Sequence, residues 1–73
     1  MKGGDTLKTL TQIGEDLKTL RGDRPREEIA LAVGVTVSAI AMYESGARMP
    51  RDTVKSALAQ YYGKSVGDLF FGE

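Results

Sequence analysis

Seventy-three residues with no cysteine and no histidine make one small domain with a modest core held by packing, lacking the usual zinc ligands, thiolate nucleophile and imidazole base. Ten Lys plus Arg balance ten Asp plus Glu, so the chain as a whole is not the basic object that many nucleic-acid binders are. No apolar run reaches the roughly 18 residues of a membrane span, and "MKGGDTLKTL" lacks the apolar stretch of a secretory signal, so a cytoplasmic chain is expected.

Apolar spacing predicts helices and no strands. Leu7, Leu10, Ile13, Leu17 and Leu20 recur every three or four residues, one face of a first helix ending near Gly22. Thr9 with Gln12 has the form of a capping box, while Asp5 or Thr6 could cap an earlier start. A second helix lies in "DRPREEIALAVG". Pro25 suits its first turn, Glu27 and Glu28 its positive N-terminal end, and Gly34 its stop, with Ile29, Ala30 and Val33 as the apolar stripe. Thr36 is a good N-cap for a third helix, with Val35 placed to staple onto Ile40, and this helix runs to Ser45 before Gly46. A fourth begins near Pro50 or Arg51, has Val54, Leu58 and Tyr61 on one face, and ends at Gly63. Ser65 with Asp68 then caps a short fifth helix, "VGDLFF".

The charges are segregated. All five arginines (Arg21, Arg24, Arg26, Arg48, Arg51) lie between residues 21 and 51, and all five lysines lie outside that block. Arginine carries a planar fork of donors matched to phosphate and guanine, so the middle of the chain has the chemistry suited to nucleic acid. Asp23, Glu27, Glu28 and Glu44 share the block, and pairing inside the fold is the competing reading for each arginine. No nucleophile is spaced with a base and no metal cluster is present in the sequence. Neither catalysis nor a cofactor is expected.

With Arg26 as position one, a small Ala30 at five lets the next helix approach, Gly34 at nine can take the positive φ of a tight turn, and Ile40 at fifteen is apolar toward the core. This pattern resembles the phage-repressor type of helix-turn-helix, the Cro/CI (XRE-type) family of transcriptional regulators. "YESGARMP" is similar to that family's run of aromatic or aliphatic, Glu, any, Gly, any, Arg or Lys, any, Pro, and "YYGKSVGDLF" to its closing helices.

The resemblance covers residues 13–71 and implies an all-α, compact five-helix, lambda-repressor-like domain, with residues 1–12 as an N-terminal arm or the start of helix one. It implies a sequence-specific DNA-binding regulator, a repressor acting at the nucleoid, that binds double-stranded DNA as a homodimer. Arg26, Thr36, Ser45 and Arg48 would hold phosphates, Arg21 would pair with Glu44, and Tyr62 and Phe71 are the candidates for a two-fold contact. If Ile40 faces the core, Val37, Ser38, Ala41 and Met42 turn toward the groove as base readers. The chain departs from the family pattern at three places. The connection between the first two helices is about two residues shorter than the commonest pattern, Arg26 replaces a frequent Gln, and the reading positions hold Val, Ser, Ala and Met where amides and basic side chains are usual. An exposed face of that composition suits either thymine methyl groups or a protein surface. The alternative is therefore a protein-interaction module of the same fold, antitoxin-like or an adaptor, whose partner is a regulatory protein and whose DNA binding is weak.

Overall fold

Local capping sets the element boundaries. The computed structural model describes residues 8–72 as four α-helices, α1 (Leu10–Arg21), α2 (Arg26–Val33), α3 (Val37–Ser45) and α4 (Asp52–Tyr62), closed by a π-helical turn, Gly67–Phe71; no strand occurs among the described residues. Thr9 caps α1 as a full capping box: the Gln12 amide donates to Thr9 Oγ1 at 3.1 Å and the Thr9 amide donates to Gln12 Oε1 at 3.0 Å. The alternative caps Asp5 and Thr6, and Leu7 of the expected apolar face, lie outside the described residues.

α2 begins one residue after Pro25, which serves as its N-cap with extended backbone rather than as part of the first turn. Gly34 ends it in the left-handed region at φ 77°, and the Gly34 and Val35 amides both donate to the Ala30 carbonyl, at 2.9 and 3.0 Å. That turn swings α3 to 106° from α2, a helix-turn-helix angle. Thr36 caps α3 as expected, its Oγ1 accepting from the Ala39 amide at 3.0 Å.

The core is built from Ile13 and Leu17 of α1, Ile29 and Ala30 of α2, Ile40 and Tyr43 of α3, Val54, Leu58 and Ala59 of α4, and Leu69 and Phe70 of the closing turn. Two expected members differ. Leu10 is exposed, because Gly46, where α3 ends, packs against the backbone of Leu10 and Thr11 and leaves no helix beyond it to cover that side chain. On α4, Ala59 fills the inward position and Tyr61 lies half-buried at the rim. The last element forms where expected, with Ser65 Oγ accepting from the Asp68 amide at 2.9 Å, but its final bond runs from the Gly72 amide to the Gly67 carbonyl, the wider π spacing. The wider turn sends two consecutive large side chains, Leu69 and Phe70, into the core.

α1 packs most extensively on α3, and Gly14 makes that approach possible. A Cβ at Gly14 would stand 2.8 Å from both the Tyr43 carbonyl oxygen and the Glu44 carbonyl carbon, and nearer still to the Glu44 oxygen. Alanine is the better helix former by about 1 kcal/mol, but here it would collide with backbone that cannot rotate away. Gly14→Ala is therefore expected to lower unfolding free energy by about 2 kcal/mol, measured by denaturant titration. A variant as stable as wild type would refute so close a helix approach.

Candidate nucleic-acid interface

α3 is apolar on its outer face as well as its inner one, and that outer face carries no charge. Ile40, Tyr43 and Glu44 are buried, whereas Val37 is 40% and Met42 37% exposed, Ser38 is exposed and Ala41 half-buried. At about 100° per residue, Ser38, Met42 and Ser45 share the centre of the outward face, with Val37 and Ala41 on the shoulder toward Glu44. The four candidate reading residues thus form one continuous surface of methyl groups, a thioether and a single hydroxyl.

Donors suited to anions lie at the start of this helix. Thr36 Oγ1 accepts from Ala39 and keeps its own O–H to donate. The Ile40 amide is satisfied by the Thr36 carbonyl at 3.1 Å, leaving the Val37 and Ser38 amides as the free donors of the first turn. Arg48 and Arg51 line a groove together with Gly34 and Val35 of the turn that leads into Thr36. Both are exposed, and neither has an ion-pair or hydrogen-bond partner among the described residues. Sequence reasoning assigned phosphate to Arg48 and gave Arg51 no role of its own beyond membership of the arginine block.

The other three arginines are used inside the fold. Arg21 grips Glu44 with Nε on Oε2 at 2.7 Å and Nη2 on Oε1 at 3.1 Å, and its Nη1 donates to the Arg24 carbonyl at 2.9 Å. Arg24 donates to the Leu20 and Arg21 carbonyls at 2.6 and 3.2 Å and stacks over the Tyr61 and Tyr62 rings at 5.4 and 5.5 Å. Tyr61 in turn donates its hydroxyl to Glu28 Oε2 at 2.7 Å, fastening α4 to α2. Arg26, expected on phosphate, has its Nε on Glu44 Oε1 at 3.0 Å. Ser45, also expected on phosphate, donates its hydroxyl proton to the Met42 carbonyl at 3.1 Å and accepts from the Ala47 amide at 3.4 Å. Its donor is engaged in ending α3.

The two dimer candidates both pack against the core but have different neighbours at the surface. Tyr62 packs edge-on to Tyr61 at 5.1 Å under Arg24, while Phe71 lies beneath Lys55, whose Nζ is 5.1 Å from the ring centre. Lys55 and Tyr62 are seven positions apart on α4, about 10 Å of helix. Among the described residues no group of three His, Cys, Asp or Glu side chains is placed to hold a metal ion, and no single helix is long and apolar enough to cross a membrane.

A family model described as Helix-turn-helix matches residues 17–69, from the middle of α1 to the closing turn. No curated protein matches the chain.

Glu44 is only 4% exposed. Burial alone would push its carboxyl pKa up, but hydrogen bonds and charge from Arg21 and Arg26 outweigh it and hold the pKa below the ordinary value. A folded-state pKa depressed in this way contributes stability that is intact above the unfolded value, about 4.3, and is lost as pH falls through the lower folded value. Glu44→Gln should cost about 3 kcal/mol at neutral pH, since it leaves the largely buried Arg21 guanidinium without its counter-charge. In denaturant melts from pH 7 downward the two stability curves should converge in acid. Curves that stay parallel would remove the ionised carboxylate from the stability of the fold.

Proposed function

Because the chain belongs to the Cro/CI (XRE-type) helix-turn-helix family of DNA-binding regulators, we propose that it is a sequence-specific repressor that acts in the cytoplasm, at the nucleoid, by laying α3 in the major groove of an operator. The observation that carries this reading is the pairing, at one end of the domain, of unpartnered arginines with an apolar helix face. Arg48, Arg51, the Thr36 hydroxyl and the Val37 and Ser38 amides are the donors for backbone phosphates, and Arg26, bonded to Glu44, is a further one toward the other end of α3. Ser45 joins that set only if its hydroxyl leaves the Met42 carbonyl. Val37, Ser38, Ala41 and Met42 are the base readers, Ser38 by its hydroxyl and the others by contact with the thymine C5 methyl. Affinity then comes mainly from phosphates and selectivity from methyl contacts and DNA shape. The protein-docking reading draws on the same exposed Val37 and Met42 and predicts the opposite outcomes below.

A duplex titration at two salt concentrations tests the DNA reading. Arg48→Ala and Arg51→Ala should each weaken binding on every sequence and flatten the salt slope by about one unit. On a selected operator, replacing a contacted thymine by uracil should cost about 1 kcal/mol with the salt slope unchanged. Val37→Gln should create a new preference for adenine, whose N6 and N7 pair with an amide. No measurable duplex binding at low salt, or a selected motif indifferent to Val37→Gln, would favour the docking surface.

One domain covers half an operator, and two recognition helices enter successive grooves when the domain pairs about a two-fold axis. Half-buried Tyr62, at the end of α4, and Phe71, at the end of the closing turn, remain the proposed contacts. Sedimentation on a palindromic duplex should give two copies per site for wild type and one for Phe71→Ser. A wild type that stays single on that duplex rules the pairing out.

A further inference from the structure

Glu44 receives three guanidinium N–H bonds on two oxygens, and the two arginines are not equivalent. Arg21 has Nε, Nη1 and Nη2 all bonded within the fold and a side chain only 16% exposed. Arg26 gives only its Nε and is 39% exposed; among the described residues its Nη1 and Nη2 bond to nothing, so four of the five guanidinium N–H donors are free. Glu44 lies three and seven residues from Ala41 and Val37, the spacing that stacks side chains along one edge of a helix. An Arg26 side chain anchored on Glu44 therefore lies beside the shoulder of the reading face, where the sugar-phosphate rim of a groove would pass.

We propose that the buried Glu44 is a positioning residue for DNA binding: by accepting from Arg26 Nε it fixes that side chain so that Nη1 and Nη2 present a ready fork to a backbone phosphate. The inference rests on the DNA-binding reading above. It requires arginine. A lysine ammonium is a single point, which can sit on Glu44 or on the phosphate but cannot offer a planar fork to one while bonded to the other. Holding Nε in advance also removes rotamer entropy that a free side chain would lose on binding.

Plain Coulomb repulsion makes the opposite prediction. Glu44 carries a negative charge near an incoming phosphate, so its removal would tighten binding if charge alone mattered. The test is fluorescence anisotropy of a labelled random-sequence duplex at fixed salt with wild type, Arg26→Lys, Arg26→Gln, Glu44→Gln and the double variant Arg26→Gln/Glu44→Gln. The folded fraction of each is checked by circular dichroism. Arg26→Lys should lose affinity about fivefold, nearly as much as Arg26→Gln, despite keeping the charge. Glu44→Gln should bind about threefold more weakly, and that loss should vanish in the Arg26→Gln background, a coupling that a general loosening of the fold would not produce. Tighter binding by Glu44→Gln, or Arg26→Lys binding like wild type, overturns the inference while leaving the DNA reading intact. If Glu44→Gln does not fold, the comparison of Arg26→Lys with Arg26→Gln decides. Failure of wild type itself to bind duplex overturns both.

Discussion

The structure depends on one buried carboxylate. Glu44 lies at the junction of three helices, and without partners its charge would cost several kcal/mol in that environment. Its position is coupled to Gly14, since the missing side chain at Gly14 lets α1 rest on the backbone of Tyr43 and Glu44. Arg21 is two turns farther along α1, and helical side chains lean toward the N-terminus, so its guanidinium reaches back onto the carboxylate that Gly14 has allowed to approach. Backbone contact and ion pair thus fix the same two helices twice, one by shape and one by charge. Once Glu44 faces inward, the rotation of α3 about its own axis is set, and Ser38 and Met42 have no direction left but outward.

Charge is placed unevenly for the same reason. A chain with equal numbers of basic and acidic residues has no global field to attract DNA, so any attraction must come from arginines that the fold leaves unpaired. Arg21 and Arg24 are consumed by the connection between α1 and α2, and Arg24 serves at once as a cap for two carbonyls and as a lid over two tyrosines. Arg48 and Arg51 escape because the loop that carries them passes the turn between α2 and α3, where the groove walls are Gly34, Val35, Tyr43 and Thr53 and supply no carboxylate. Neutrality of the whole is compatible with a positive edge at the start of α3.

What the sequence disclosed follows the range of each interaction. Thr9 with Gln12, Thr36 with Ala39 and Ser65 with Asp68 are bonds between residues three apart, and Gly34, Gly46 and Gly63 end their helices in the left-handed region that favours glycine. These were readable because both partners lie in one short window. The Arg21–Glu44 pair spans 23 residues and was available only through resemblance to a family. Sharing of the same carboxylate by Arg26, the close approach at Gly14 and the escape of Arg51 depend on how helices cross, which no window of sequence contains. The π turn was hidden for another reason: Ser65 and Asp68 start an α-helix and a π-helix alike, and the wider spacing shows only at the far end, in the bond from the Gly72 amide to the Gly67 carbonyl.

The uncharged outer face of α3 becomes intelligible, as the proposed reading face, once its neighbours are counted with it. A reading helix that carries its own arginines mixes attraction with discrimination, since each such side chain also binds any phosphate in reach. Here the two are separated in space: donors gather at the Thr36 end and around Arg48 and Arg51, and the outward surface of α3 contains no formal charge between Val37 and Tyr43. Small apolar side chains permit close approach to the floor of the groove, where a methyl group is either met or missed. Such contacts discriminate by only about 1–3 kcal/mol per base pair, so under the proposed reading a face of four residues would read a short, A·T-rich element weakly. In the proposed reading, adequate specificity must come from repetition of that face across a two-fold axis, and the domain's small size makes doubling the cheapest route to it.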